Sequence, residues 1–236
     1  MKFRYNGLLL VPLFLVVALT CGPSVNSVIF PRQLPNRDNF KILILGNSIT
    51  GAPELGKNWT EGWGMAASSP QMDYVHVLYN YFQDSLKYGP QMITFNLRKF
   101  EDSFPTFDFS ELDTLKRFNA DLIIFRIGDN INPVMAVDSY LNEKFDTLLQ
   151  YFSQNDRQVL LCTSCWFSNK TVDAIMREVC RKKQISFIDI SSLYNDKSNQ
   201  ASSEREISDP WVGRHPGDKG MNKIADILWE NISSML

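Results

Sequence analysis

The sequence predicts an α/β fold: a three-layer α/β/α doubly wound domain with a five-stranded parallel sheet. The prediction depends on two observations. Short runs that are apolar almost throughout alternate along the chain with longer segments in which apolar residues recur every three or four positions. Unbroken apolar runs are typical of strands buried on both faces, and their alternation with helices indicates a parallel sheet that is covered on both sides.

The elements can be assigned in chain order. Apolar runs, two of them ended by a glycine, predict five strands at 41–46, 91–96, 121–127, 158–162 and 185–189. Helical spacing of apolar residues predicts helices near 72–86, 141–152, 172–179 and 218–236. In open parallel sheets the binding sites lie at the carboxyl ends of the strands, so the residues that follow each strand are the candidates for function.

The amino-terminal residues have the pattern of an export signal. Lys2 and Arg4 precede an apolar run from Leu8 to Leu19, which is shorter than the roughly 20 residues that a membrane-spanning helix needs. We therefore expect residues 1–27 to be a signal peptide, and the protein to be exported to the periplasm, the medium or the cell envelope.

Cys21 directly follows this apolar run, in a context that loosely resembles a bacterial lipobox. Lipid attachment at Cys21 and ordinary cleavage nearby, for instance after Ser27, are both open, and such a lipid is the only membrane attachment that we expect. Residues 28–39 are predicted to form an irregular lead-in, and residues 40–236 a single domain.

The composition excludes some classes of function. The formal net charge is −2 and no run of Lys and Arg stands out, so we expect no nucleic-acid partner. No Cys/His cluster has the spacing of metal ligands, and we expect neither a metal nor another cofactor. Cys162 and Cys165 have the spacing of a redox pair, but no helix follows them at once, which favours a local disulfide or two packed thiols.

Polar residues with catalytic potential follow two of the predicted strands. Ser48 comes directly after Gly46 and Asn47 at the end of the first strand, where a glycine lets the chain turn sharply and present the serine hydroxyl. The segment Gly128-Asp129-Asn130 follows the third strand and places a side-chain amide at the same edge of the sheet.

The chain has two histidines, which limits the choice of a general base. His76 falls on the polar side of the first predicted helix, and we expect it to be a solvated surface residue. His215 lies just before the last helix, and Pro216 biases it away from helical geometry, so its ring is expected on a loop at the helix amino terminus.

Together these segments resemble the sequence blocks of the SGNH/GDSL hydrolases. The segment GNSIT is similar to the first block, with Asn47 where the family usually has an aspartate. Gly128-x-Asn130 is similar to the block that contains the family's asparagine, and HPGDKGM, starting at His215, to the last block of bacterial carbohydrate-active members. The three segments occur in the family's order, across residues 41–232.

The resemblance implies a flavodoxin-like SGNH hydrolase fold and an esterase mechanism. Ser48 would attack an ester carbonyl after His215 takes its proton. The Ser48 backbone N–H and the Asn130 side-chain amide, which shares its block with Gly128, would stabilise the oxyanion. One such donor is worth about 3–4 kcal/mol of barrier.

The chain departs from the family in two places. The second block has a glycine after strand two whose N–H is a further oxyanion donor, but residues 95–99 contain no glycine. The acid that orients the histidine normally precedes it by three residues, where this chain has Val212. As its replacement we rank Asp209 first, because the Pro and Gly that follow it permit a reversal towards the ring, then a backbone carbonyl or water, then Asp129.

Arg126 is unusual because it interrupts an otherwise apolar strand. Two roles are open for it: binding a substrate carboxylate, or forming a buried ion pair with Asp129 or Glu101.

The substrate class is indicated only by aromatic residues. Trp63 and Trp211, together with Trp59 and Trp166, lie on segments expected near the site, where flat rings suit sugars or simply anchor loops. The sequence therefore predicts an exported serine esterase that removes an acyl group, such as acetyl, from a carbohydrate. The alternatives are an inactive, carbohydrate-binding protein of the same shape, and a lipase or thioesterase.

Overall fold

The computed structural model describes residues 39–52, 62–154 and 156–236. Its centre is a sheet of five parallel strands in the order β2-β1-β3-β4-β5. The strands are β1 (Lys41–Gly46), β2 (Gln91–Asn96), β3 (Leu122–Phe125), β4 (Val159–Thr163) and β5 (Ser186–Ile188). This order and the helices on both faces confirm the predicted fold class. The predicted signal peptide, Cys21 and Trp59 lie outside the described residues.

Within residues 39–52, 62–154 and 156–236, the four long helices lie where apolar spacing predicts them, and four short helices are additional. The long helices are α1 (Tyr74–Ser85), α5 (Leu141–Phe152), α6 (Lys170–Lys183) and α8 (Asp218–Ile232). The short ones, of four to six residues, are α2 (Arg98–Ser103), α3 (Asp113–Phe118), α4 (Pro133–Asp138) and α7 (Pro210–Gly213). Such short helices have too few turns to show a period in the sequence.

Alternate residues of β1 supply both halves of the core. Ile42 and Ile44 are fully buried among α1 and α8 on one face of the sheet. Leu43 and Leu45 are fully buried on the other face among residues of α5 and α6. Each such side chain contributes about 1.5–3 kcal/mol through its burial, so β1 is firmly fixed and positions the loop that follows it.

The cysteines of the domain form no disulfide. Cys162, Cys165 and Cys180 are free and buried, so of the two expectations for Cys162 and Cys165 only packed thiols hold. Cys162 contacts Cys180 of α6, and burial raises the pKa of the Cys162 thiol well above its usual range.

In the part of the chain that the structure describes, no helix has the length and apolar character to cross a membrane.

Candidate active site

The turn after β1 presents Ser48 at the carboxyl edge of the sheet. A Cβ atom at Gly46 would lie 1.8 Å from Thr50 Oγ1, so only glycine permits this close approach. The turn is closed by the Thr50 N–H, which donates to the Asn47 carbonyl at 2.9 Å. Ser48 itself is partly exposed, while its neighbours on both sides are buried.

The loop that carries His215 is held by backbone hydrogen bonds and by a cap on the helix that follows it. The His215 N–H donates to the Val212 carbonyl at 3.0 Å, and its own carbonyl accepts the Ala201 N–H at 3.0 Å. The Glu204 carboxylate accepts the first two N–H groups of α8, at 2.7 and 2.8 Å, and so caps the helix that begins just after the loop. His215 is only 1% exposed, and these contacts leave its backbone little freedom.

Ser48 and His215 form a hydrogen-bonded pair. The Ser48 Oγ lies 3.1 Å from His215 Nε2, and His215 Nδ1 lies 3.0 Å from the Trp211 carbonyl oxygen. A carbonyl can only accept, so Nδ1 carries the proton and the lone pair of Nε2 faces the serine hydroxyl. Burial lowers the pKa of His215 to about 4, although the Trp211 carbonyl opposes this. The imidazole is therefore neutral at pH 7, which is the form that can accept a proton.

Asp209 does not contact the ring, contrary to the prediction. Its carboxylate accepts the Trp211 N–H at 2.8 Å and is the amino-terminal cap of α7. Pro210 begins this helix, where its fixed φ is favourable, so no reversal brings Asp209 back to His215. The backbone carbonyl, ranked second in the sequence analysis, occupies the place of the acid.

Asp129, the third candidate, is committed to a buried ion pair. Arg126 is fully buried, and its Nη1 donates to Asp129 Oδ2 at 2.7 Å. Burial alone would raise the pKa of Asp129, but Arg126 and the Phe167 N–H hold it below its usual range. The buried-pair interpretation of Arg126 therefore describes the structure, and a substrate carboxylate cannot reach it.

Asn47 connects this ion pair to a second buried carboxylate. Its Nδ2 donates to Asp129 Oδ2 at 2.9 Å and to Glu101 Oε1 at 3.1 Å. Its Oδ1 accepts Arg126 Nη1 at 2.8 Å and the Ile49 N–H at 3.3 Å. The amide thus uses both its donors and its acceptor. An aspartate here could not donate to two carboxylates, which explains physically why the chain has asparagine.

Asn130 follows β3, the strand next to β1, and is partly exposed. Its Nδ2 donates to Glu101 Oε2 at 2.6 Å. Gly128 has a φ of 117°, and a Cβ there would lie 2.7 Å from Cys165 Sγ, so glycine is required. The Gly128 N–H also donates to Glu101.

No protein-family model and no curated protein matches the sequence. The fold is similar to that of a two-domain esterase (CEX) active on acetylated mannans, with a TM-score of 0.58 and 15% identity over 84% of this chain and 49% of that chain. It is also similar to a protein described as a GDSL-like lipase from Bacteroides uniformis (TM-score 0.54, 16% identity, 83% and 96% covered). An acetyl xylan esterase, AlAXEase, matches with a TM-score of 0.52 and 15% identity over 82% of this chain and 100% of that chain.

The chain has the SGNH/GDSL-like hydrolase fold. It spans about half the length of the two-domain esterase and nearly the full length of the other two proteins. At these identities the likeness establishes the fold, and the chemistry must be argued from the site.

In SGNH hydrolases the segment after β2 supplies a glycine whose N–H is an oxyanion donor. In this chain the backbone N–H groups of that segment make other hydrogen bonds. The Leu97 N–H donates to the Gly46 carbonyl at 2.6 Å, and the Arg98 N–H donates to Asn96 Oδ1 at 2.9 Å. Both backbone donors are therefore engaged. Asn96 Nδ2 in turn donates to the Gly51 carbonyl at 2.6 Å, which ties the end of β2 to the loop after the serine.

Two aromatic rings lie beside His215. Trp211 is 50% exposed and stacks on Phe167 with ring centroids 4.9 Å apart, and both rings meet His215 edge-on. Two further tryptophans match the other role left open for them: Trp166 is fully buried and donates to the Arg214 carbonyl, and Trp63 is partly buried and donates to the Ala67 carbonyl. These two anchor loops.

Sequence reasoning missed two residues of the site. Glu101 was considered only as a partner for Arg126, because a glutamate in a short polar segment resembles a solvated charge. Phe167 was not singled out, although its position just after β4 at the functional edge of the sheet could have indicated it.

Proposed function

We propose that this chain is an exported serine esterase that hydrolyses an acyl ester, in the simplest case an acetyl ester, on a carbohydrate. The observation that carries the proposal is the Ser48–His215 pair, with Nε2 3.1 Å from the hydroxyl and Nδ1 fixed on a carbonyl. An activated serine beside an imidazole in its neutral, accepting tautomer is the arrangement that acyl transfer needs.

The mechanism follows from this geometry. The Ser48 Oγ attacks the ester carbonyl as Nε2 of His215 takes its proton, and the new imidazolium returns the proton to the leaving alcohol. Water then repeats the sequence and releases the acid. The oxyanion would be met by the Ser48 N–H, for which the described residues offer no acceptor, and by the Asn130 amide. The Trp211 carbonyl stabilises the imidazolium less than a carboxylate would.

A carbohydrate substrate is supported by the exposed indole of Trp211 next to the histidine. Flat aromatic faces and edges suit the apolar face of a sugar ring. Two of the similar structures are described as an esterase active on acetylated mannans and an acetyl xylan esterase. Export, with or without a lipid on Cys21, is part of the proposal because of the signal-like amino terminus, and we propose no nucleic-acid partner.

The test is turnover of p-nitrophenyl acetate and of acetylated oligosaccharides by the purified protein. Ser48→Ala should abolish both activities. The control is Ser69→Ala, which changes a serine just before the short turn that precedes α1 and should leave both activities unchanged. Sugar binding without turnover by the wild-type protein would instead support the inactive, carbohydrate-binding alternative.

One observation favours a lipase or thioesterase as the second candidate. The short helix α4 begins three residues after Asn130, and it and the residue that precedes α5 expose apolar side chains: Val134 (66%), Met135 (39%), Val137 (60%) and Tyr140 (63%). Such a patch could receive a long acyl chain. A series of p-nitrophenyl esters from acetate to palmitate separates the candidates, because the acetyl esterase should lose kcat/KM steeply beyond four carbons.

A further inference from the structure

We propose that Glu101 is a positioning residue that sets the direction of the Asn130 amide in the oxyanion site. The inference rests on the proposed esterase function, and concerns how the site is held rather than which bond it breaks. Glu101 lies in α2, on the connection after β2, and contacts neither Ser48 nor His215 in the described residues.

The burial of Glu101 needs an explanation. The side chain is only 1% exposed, and its helix neighbour Phe100 lies in the apolar core. Burial raises the pKa of Glu101, and Asp129 adds to this effect. A buried carboxyl group is costly unless it is well hydrogen-bonded, so its retention here points to a task that an apolar side chain could not perform.

All three contacts of Glu101 use it as an acceptor. Oε2 accepts from Asn130 Nδ2 at 2.6 Å, and Oε1 accepts from Asn47 Nδ2 at 3.1 Å and from the Gly128 N–H. Two of these donors belong to the Gly128–Asn130 segment. Glu101 therefore holds both the backbone and the side chain of that segment at the edge of the sheet.

The contact with Glu101 determines the orientation of the Asn130 side-chain amide. A side-chain amide has a donating and an accepting end of almost the same shape, and only its surroundings decide the orientation. An acceptor at Glu101 fixes the nitrogen end, and among the described residues no other acceptor bonds to it. The second N–H of the same nitrogen is then available for an oxyanion, because both hydrogens lie in the amide plane.

The substitution Glu101→Gln tests this inference. The new side-chain amide has nearly the same shape, and its oxygen is kept in place by the Gly128 backbone N–H, which cannot turn. Its NH2 group therefore faces Asn130, so the Asn130 amide must turn its oxygen towards it and move its nitrogen away. We expect kcat for p-nitrophenyl acetate to fall at least about tenfold with KM nearly unchanged. The limit is the loss of one oxyanion donor, about 10²–10³ in kcat.

A double-mutant cycle with Asn130→Ala separates positioning from general structural support. If Glu101 acts through Asn130, Glu101→Gln should change kcat by less than about threefold once Asn130 is alanine. Equal losses in both backgrounds, or an active Glu101→Gln enzyme with kcat near that of the wild type, would overturn the inference. Failure of Ser48→Ala to abolish activity would instead overturn the proposed function itself.

A matched control is Asp121→Asn. Asp121 is also a buried carboxylate, 4% exposed, but it accepts the Lys41 N–H at the opposite end of the sheet. It should lower the unfolding temperature without changing kcat. If Glu101→Gln does not fold, Glu101→Asp replaces it, because the carboxylate remains but is withdrawn from Asn130. We expect the same loss of kcat in the wild-type background and no such loss in the Asn130→Ala background. Unchanged kcat in folded Glu101→Asp would count against the inference.

Discussion

The low pKa of His215 predicts how kcat/KM should depend on pH. Burial holds this pKa at about 4, against about 6.5 for an ordinary histidine. At pH 5.5 an ordinary histidine is neutral in only about one molecule in eleven, whereas a pKa of about 4 leaves about 97% neutral. Ester hydrolysis by this protein should therefore keep almost its full kcat/KM at pH 5.5 and lose it only towards pH 4.

Two measurements check this prediction. The acid limb of kcat/KM for p-nitrophenyl acetate reports the pKa of the essential base in the free enzyme. Because the chain has two histidines, an NMR titration can follow each imidazole directly, and His76→Gln assigns the signals. Phe167→Ala, which removes a ring 5.1 Å from the imidazole, should move the acid limb towards higher pH. An acid limb at pH 6 or above in the wild type would refute the reasoning.

Three further predictions follow from the site. Between pH 6.5 and pH 4 the unfolded chain binds a proton at His215 that the folded chain does not, so the free energy of unfolding should fall by about 3 kcal/mol from this group as the pH drops, measured by urea titration. Asp209→Asn should keep nearly full kcat, because the residue caps α7 and asparagine also caps helices; a loss of orders of magnitude would restore Asp209 as the orienting acid. Arg126→Leu should destabilise the fold by about 3–5 kcal/mol in thermal or chemical unfolding, because it leaves Asp129 buried and unpaired, and adding Asp129→Asn should recover part of the loss.

The fold could be predicted because its signals are local. β1 and β2 have the predicted bounds. β1 is a buried apolar run, whereas β2, at the edge of the sheet, is largely exposed. The strands β3, β4 and β5 differ from the prediction only at their ends. The short helices were missed because a single turn has no period, and its formation depends on packing that the sequence does not display.

The site could be predicted only in part. Ser48 and Asn130 were found because each follows a strand that is easy to recognise, and the sheet gathers such ends at one edge. His215 was found because it is one of two histidines in the chain and precedes a helix that is easy to recognise. The backbone carbonyl that holds His215 was ranked only second, because a carbonyl has no side-chain signature. Asp209 was ranked first, but the Pro that follows it begins a helix instead of reversing the chain. Glu101 was missed for a related reason: burial of a polar residue depends on long-range packing.

At position 211 the backbone and the side chain have separate tasks. The backbone carbonyl holds the imidazole of His215, and the side chain does not take part in that hydrogen bond. Every amino acid brings the same carbonyl, so the acceptor for His215 Nδ1 does not depend on which side chain stands there. The indole, in turn, is half exposed beside the histidine, where a substrate would bind. Substrate preference can therefore change by substitution at a position that directly supports the chemistry, a freedom that an enzyme with a side-chain carboxylate behind its histidine does not have. A library that varies residue 211 alone is the natural starting point for altering the specificity of this protein.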